Sequence, residues 1–206
     1  MNRDPLGSQF LNDSADAVEE LASAEDALFE FGVYGFDMRP PRLLLVGMTY
    51  ELLDAAINDQ PRLGGLLGAS ISEGWEGFPD ALPALRASYA AGGGERRWGA
   101  LCFVLAEPRT LVGMGGYKGA PSPEGVVEVG YAIAPAFRSQ GLATEATRLM
   151  VSSAFADSEV QAVDAHTLAL ENPSTRLLEK AGFRKIGERL DPDDGAIWHW
   201  RLERHR

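Results

Sequence analysis

Apolar and polar residues alternate along much of the chain from residue 42 onward, which is typical of strands with one buried face. The alternation is clearest over residues 126–134, where Val127, Val129 and Ile133 fall on one face and Glu128 on the other. Elsewhere apolar residues recur at helical spacing, and Thr49 is a plausible N-cap of the first such helix. The predicted strands are residues 42–46, 98–106, 110–118, 126–134, 160–168, 183–190 and 196–202; the predicted helices are residues 49–58, 142–156 and 173–181, with shorter ones near 63–67 and 81–91.

This order predicts an α/β (α+β) domain over residues 42–206, with a mixed, mainly antiparallel sheet of about seven strands flanked by helices. Residues 1–41 form a separate acidic arm, and helical spacing of apolar residues over positions 13–31 predicts a helix there. Nine acidic and two basic residues give residues 1–40 a charge of −7, out of −11 for the chain. The arm either packs on the main body or a subunit interface, or simply forms a solvated surface helix.

Composition narrows the classes of partner. The acidic balance disfavours direct binding to nucleic-acid phosphates and could instead attract a cationic amine. The longest apolar run, residues 99–106, is far shorter than the roughly 20 residues of a membrane span. The start of the chain lacks the pattern of a secretory signal, and one cysteine fits a reducing compartment, so we expect a cytoplasmic protein without a membrane partner. The histidine spacing predicts no metal site. The apolar surroundings of Cys102 indicate an inert buried thiol. A homodimer is a reasonable expectation for the oligomeric state.

The turn after the strand at residues 126–134 predicts an anion site. It reads Arg138-Ser139-Gln140-Gly141-Leu142-Ala143 and leads directly into a helix, whose first backbone N–H groups have no partner within the helix. Arg138 adds positive charge, and Gly141 allows the backbone to approach a ligand such as a phosphate. A rival motif, Gly113-Met114-Gly115-Gly116-Tyr117-Lys118, has lysine in place of the third glycine of a dinucleotide fingerprint and lies within a predicted strand.

These residues resemble motifs of the GNAT superfamily of acetyl-CoA-dependent N-acetyltransferases. The turn is similar to the family's pyrophosphate loop, Arg/Gln-x-x-Gly-x-Gly/Ala, and the run from Glu171-Asn172-Pro173-Ser174 to Ala181-Gly182-Phe183 is similar to its second signature. Together with Val127-Glu128-Val129-Gly130-Tyr131, they most resemble the branch that includes the ribosomal-protein alanine N-acetyltransferases. The resemblance covers about residues 42–202 and implies the GNAT fold, in which two central strands splay apart.

Two positions depart from the family pattern. Aligned on Gly182-Phe183, the usual asparagine position is Glu171, and Asn172 is displaced by one residue. The position at which many relatives carry a tyrosine general acid is Leu178, which cannot donate a proton. That route for protonating the leaving thiolate is therefore expected to be absent.

The resemblance also implies roles for individual residues toward acetyl-CoA. The loop would hold its diphosphate, the backbone of Ile133 and Ala134 would pair with its pantetheine arm, and three residues of the next helix would face it. The implied cofactor-binding residues are Ile133, Ala134, Arg138, Ser139, Gln140, Gly141, Leu142, Ala143, Thr144, Asn172, Ser174 and Arg176. Ser174 could equally act only as a helix cap. A backbone N–H near Ala132 or Ile133 would stabilise charge on the thioester oxygen.

The proposed chemistry needs a base, because an amine must lose its proton before it attacks a thioester. Glu128 is the best candidate, since it shares a strand face with Gly130 and Ala132, whose small side chains leave room for a ligand. An ion-paired surface glutamate is the alternative. His166 could assist in acid–base chemistry or could be a buried, hydrogen-bonded histidine. Trp75 and Phe78 either line an acceptor pocket or cover the core.

The leading hypothesis is an enzyme that transfers acetyl directly from acetyl-CoA to a primary amine, either a protein N-terminus or a small molecule. A covalent acyl-cysteine route is disfavoured because Cys102 lies within a strand. The alternatives are a non-catalytic CoA-binding module and an interaction protein whose acidic arm is the functional part.

Overall fold

The computed structural model describes residues 41–92 and 96–205, so the acidic arm predicted at the N-terminus lies outside the described residues apart from Pro41. Each predicted strand and each main helix is present, within two residues of its predicted ends. In chain order the elements are β1 (Leu43–Gly47), α1 (Tyr50–Asn58), α2 (Gln60–Leu67), β2 (Ser70–Ile71), α3 (Ala81–Ala90), β3 (Ala100–Leu105), β4 (Thr110–Tyr117), β5 (Val126–Ile133), α4 (Leu142–Phe155), β6 (Ala162–Leu168), α5 (Pro173–Lys180), β7 (Arg184–Asp191) and β8 (Gly195–Glu203).

Local chemistry explains where the first helices begin. The Thr49 hydroxyl accepts a hydrogen bond from Leu52 N at 3.2 Å, which confirms Thr49 as the N-cap of α1. Asp59 caps α2 in the same way through Arg62 N at 3.0 Å, and Pro61 follows in the first turn. This second cap makes α2 begin earlier than the predicted helix near residues 63–67.

The sheet is mixed and mainly antiparallel, as predicted. Seven strands follow the order β1-β3-β4-β5-β6-β8-β7, and the two-residue β2, which was not predicted, pairs in parallel with β4. Along this path β5 and β6 are parallel, whereas the other neighbouring strands are antiparallel.

β5 and β6 separate partway along their length. Their pairing runs from Val126↔Ala162 to Val129↔Ala165 and then stops. Beyond this point β5 remains paired with β4 as far as Ile133, and β6 remains paired with β8 as far as Leu168. The central strands are therefore splayed, which confirms the expected fold and opens a gap between Gly130 and His166.

Each face of the sheet covers its own hydrophobic core. Val127, Val129 and Ile133 of β5 pack with α4 and α5, whereas Cys102, Val104 and Met114 share the other face with α1, α2 and α3. Fully burying one such apolar side chain stabilises the fold by about 1.5–3 kcal/mol. Trp75 is completely buried in the second core, so it covers the core, whereas Phe78 is 60% exposed. Among the described helices, none combines the length and apolar character that crossing a membrane requires.

Candidate functional site

The loop between β5 and α4 has the geometry of an anion site. After a 3-10 turn at Pro135–Phe137, Ser139 and Gly141 both adopt positive φ angles, 61° and 80°. Gly141 is the N-cap of α4, and no side chain makes a capping hydrogen bond there. The loop residues Arg138 to Gly141 are exposed, whereas Leu142 is anchored in the core. The first amides of α4 thus face outward at the positive end of the helix dipole, with Ala143 and Thr144 partly exposed behind them.

Two arginines flank this loop. Arg138 Nε donates to the Ile133 carbonyl at 3.0 Å, which folds the loop back on the end of β5. Arg42, which the sequence marked only as the start of a strand, donates from its guanidinium to the Gln140 carbonyl at 3.2 Å. A Cβ added to Gly141 would meet only Arg42 Nη2, at 3.7 Å. The requirement for glycine therefore comes from its positive φ, and the surface over the loop is open.

Neighbouring residues of β5 direct their backbone N–H and C=O groups to opposite sides of the strand. Ala134 N donates to Val112 O at 2.8 Å, and Ala134 O accepts from Phe137 N at 2.9 Å. Because backbone groups alternate along a strand, those of Tyr131 and Ile133 face away from β4 and toward the gap. Ile133 is therefore better placed than Ala134 to pair with a ligand in the gap, and the Ile133 amide is better placed than that of Ala132.

Glu128 and His166 meet where the gap begins. His166 Nδ1 lies 2.9 Å from Glu128 Oε1, and Lys118 Nζ also forms an ion pair with this oxygen. Burial raises the pKa of Glu128, but the hydrogen bonds and charges of Lys118 and His166 outweigh burial and hold the pKa below its usual value. Glu128 is therefore ionised at neutral pH. His166 Nε2 is buried and has no hydrogen-bond partner in the described part of the chain.

A second carboxylate–histidine pair lies beside the first. His199 Nε2 is 2.6 Å from Asp164 Oδ2, and the Arg201 guanidinium donates to both Asp164 oxygens at 2.7 and 2.9 Å. The His166 and His199 rings stack with centroids 4.6 Å apart and an interplanar angle of 20°. Burial raises the pKa of Asp164, but Arg201 and His199 outweigh it, so the net pKa is lowered.

Helix α5 supplies the remaining predicted residues. Asn172 is its N-cap, because Asn172 Oδ1 accepts hydrogen bonds from Ser174 N at 2.8 Å and Thr175 N at 3.0 Å. The cap is thus Asn172 and not Ser174, whose half-buried hydroxyl lies beside Tyr131 Oη. Arg176 is exposed, and Leu178 is fully buried in the core.

Sequence reasoning missed several members of the site. One local signal was available, since Asp164 and His166 are polar residues at alternate positions of an otherwise apolar strand. The others depend on strand order, which brings together residues far apart in the chain. The residues missed are Arg42, Lys118, Asp164, His199 and Arg201. Among the described residues, no group of three or more His, Cys, Asp or Glu side chains is placed to hold a metal ion.

Comparison with known proteins gives consistent results. The family model described as "Acetyltransferase (GNAT) domain" matches residues 42–184. The uncharacterized N-acetyltransferase YjdG of Bacillus subtilis (strain 168) is 27% identical over 144 residues, which span 69% of this chain and 86% of that protein.

Two solved structures illustrate the shared fold. The ribosomal-protein-S5-alanine acetyltransferase from Vibrio fischeri aligns with a TM-score of 0.55 at 14% identity, over 82% of this chain and 95% of its own. The aminoglycoside acetyltransferase AAC(6′)-Ib, solved in complex with coenzyme A, aligns with a TM-score of 0.54 at 18% identity, over 79% of this chain and 95% of its own.

Proposed function

The chain belongs to the GNAT family of acetyltransferases and is therefore an acetyltransferase enzyme, and we propose that it transfers acetyl directly from acetyl-CoA to a primary amine. The base in this proposal is Glu128 together with its hydrogen-bonded partner His166. The acceptor is either a protein N-terminus or a small molecule, the two classes represented by the ribosomal-protein and aminoglycoside enzymes that share the fold.

The observation that carries the proposal is the position of the Glu128–His166 pair. The pair lies where the pairing of β5 with β6 ends, and a Cβ built on the adjacent Gly130 would meet no atom within 4 Å. A proton acceptor and free space thus coincide at the opening of the gap. An alkylammonium, with an ordinary pKa near ~10.4, needs such an acceptor before it can attack at neutral pH.

The other residues that the family resemblance implies would contact the donor, acetyl-CoA. The amides of residues 139–144, with Arg138, would hold the diphosphate of acetyl-CoA, and the Ile133 backbone would pair with its pantetheine arm. Ser174 and Arg176 would face the donor from α5, whereas the Asn172 side chain is already used as a cap. When bound, acetyl-CoA supplies the activated acetyl group.

Direct transfer is favoured because the only cysteine is unsuited to carry an acyl group. Cys102 is completely buried in β3, and burial raises its pKa to about 12. A thiolate nucleophile is therefore absent at neutral pH.

The test is release of free CoA from acetyl-CoA in the presence of single acceptors: a peptide with a free N-terminus, a polyamine and an aminoglycoside. We expect turnover with one class, and Glu128→Gln should lower kcat by ~10²–10⁴-fold. Glu124→Gln is the matched control, because Glu124 is exposed on the turn before β5. A Glu128→Gln enzyme that matches the wild type from pH 6 to about 9 would refute the assignment of the base.

A further inference from the structure

Strand β7 forms an open edge of the sheet. It is last in the strand order and, among the described residues, pairs only with β8. Its residues are exposed or half-buried along the whole of Arg184–Asp191, and Ile186, at a shift in register, has no partner residue on β8. Because backbone groups alternate along a strand, every second residue of β7 directs its N–H and C=O groups away from β8. The edge can therefore accept one more strand.

The charges of β7 are ordered along the strand. Arg184 and Lys185 are exposed at its start, whereas the acidic residues Asp191, Asp193 and Asp194 lie at its end and in the turn that follows. A second β7 running antiparallel would bring each basic end beside an acidic end, whereas a parallel one would bring like charges together. The order of the charges therefore favours a second copy of the chain, related to the first by a two-fold axis.

Leu190, near the acidic end of β7, exposes a large apolar surface. It is 84% exposed, more than any other large apolar side chain in the described part of the chain. Trp198 Nε1 donates to Glu188 Oε2 at 2.9 Å, so Glu188 lies on the side of the sheet that Trp198 occupies. Leu190 is two residues further along the strand and points to the same side. Covering this side chain would remove apolar surface from water and stabilise the assembly that covers it.

A cavity that suits an apolar side chain lies at the opposite, basic end of β7. Its volume is about 340 Å³, its aromatic wall is formed by Phe183, Trp198 and Trp200, and Arg184 and Lys185 of β7 border it. The exposed leucine and the cavity thus lie at opposite ends of one strand, on the same side of the sheet. In a two-fold dimer the same surface meets itself, so the leucine of each copy is brought to the cavity end of the other.

We propose that two copies of the chain pair through β7 in an antiparallel arrangement, with the two-fold axis at Glu188, so that their sheets become continuous. This register sets Ile186 against Leu190 of the second copy and places that leucine beside the cavity. Arg184 then lies next to the turn that carries Asp193 of the second copy. The inference is independent of the proposed acetyl transfer and holds whichever amine is the acceptor.

The first experiment measures self-association of the full-length protein by sedimentation velocity over a range of concentrations. A contact built on one strand from each copy is small beside the roughly 1,600 Å² of a standard interface, so we expect a dissociation constant in the micromolar range. Leu190→Asp should raise this constant more than about tenfold. Leu66→Asp on α2 is the matched control, because Leu66 is also exposed, at 44%, and its loss should leave association unchanged.

Two outcomes of this experiment would overturn the proposal. A wild type that stays monomeric would leave residues 1–41 or a different protein as the occupant of the edge. A dimer that Leu190→Asp weakens no more than Leu66→Asp does would show that the copies meet at another surface.

The second experiment tests the antiparallel alignment by exchanging charges. Arg184→Glu and Asp193→Arg should each raise the dissociation constant about three- to tenfold at low salt, because each sets like charges beside one another across the axis. The double variant restores an attractive pair and should recover most of the affinity. Two single effects that simply add in the double variant would refute this alignment, and the exposed positions leave the fold of each variant intact.

The third experiment tests the position of the axis. The two Glu188 carboxylates meet there and repel, so Glu188→Cys removes an unfavourable contact and sets two thiols across the axis. Facing residues of paired antiparallel strands have Cα atoms about 4.5–5.5 Å apart, within the range of a disulfide. Mild oxidation should therefore give a covalent dimer, whereas Leu66→Cys should not, and the native Cys102 is buried. Failure of Glu188→Cys to cross-link would refute this axis.

Discussion

Arg42, just before β1, and Glu145, in the first turn of α4, are joined by several hydrogen bonds although 103 residues separate them. Arg42 N donates to Glu145 Oε1 at 2.5 Å, Nε donates to Oε2 at 2.9 Å, and Nη2 lies 2.8 Å from Oε2. The same guanidinium donates to the Gln140 carbonyl of the loop between β5 and α4. Glu145 places a negative charge at the helix end that should bind phosphate, and Arg42 offsets this charge.

Arg42→Ala should therefore weaken the binding of CoA by about tenfold, or about 1.4 kcal/mol. The substitution releases the loop and leaves the charge of Glu145 unopposed, so adding Glu145→Gln should restore part of the affinity. Calorimetric titration of CoA measures the effect. Turnover of S-acetyl-pantetheine, which has no phosphate, should not change.

Arg62→Ala is the control for Arg42→Ala. Arg62 pairs with Glu51 on the surface, where both side chains are about half exposed, and the solvent screens such pairs so that they contribute little to stability. If Arg42→Ala and Arg62→Ala bind CoA equally well, the role assigned to Arg42 is wrong.

Gly141→Ala should destabilise the loop by about 1–2 kcal/mol, because φ at this position is 80° and an L-residue is strained there. We expect a several-fold loss of affinity for CoA, measured by the same titration, together with a lower thermal midpoint. Gly65→Ala in α2 is the opposite case, since a Cβ there meets nothing within 4 Å and the residue is helical. That change should stabilise the protein by about 0.5–1 kcal/mol. A Gly141→Ala protein that binds CoA normally would argue against the loop as the phosphate site.

The sequence predicted those features that depend on neighbouring residues. The alternation around Glu128 correctly separated the core face of β5 from its open face, because side-chain direction in a strand is a local property. Contacts such as His166–His199 depend on which strands become neighbours, and the local pattern carries no information about strand order. Asn172 shows a different limit: the sequence did not predict that its side chain caps α5, and the contact with acetyl-CoA that the family pattern implies for it stays a prediction. The role of Ser174 toward the donor stays a prediction.

Asp164→Asn should destabilise the protein by about 3–5 kcal/mol at neutral pH, because it leaves Arg201 and His199 partly buried without their carboxylate. The folded-state pKa of Asp164 is lowered, so its charge stabilises the fold above the unfolded pKa of about 3.9 and this contribution is lost as pH falls through the folded value. The difference in unfolding free energy between wild type and variant should therefore shrink as pH falls below about 4.

Urea unfolding at several pH values measures the effect of Asp164→Asn. Asp80→Asn is the matched control, since Asp80 precedes α3 without a side-chain capping bond and should cost less than about 0.5 kcal/mol. A destabilisation by Asp164→Asn that is the same at every pH would show that packing, and not the charge of Asp164, is responsible.

Cys102 provides the last prediction, which separates direct transfer from a covalent route. Its thiol is fully buried between β1 and β4, and its pKa is raised to about 12 by burial, so native protein should not react with thiol reagents while unfolded protein should react at once. Cys102→Ala should keep wild-type turnover and lose about 1 kcal/mol of stability, the typical effect of a single core substitution. An acetyl adduct on Cys102, trapped during turnover and identified by mass spectrometry, would contradict direct transfer, because only a nucleophilic thiolate could form it.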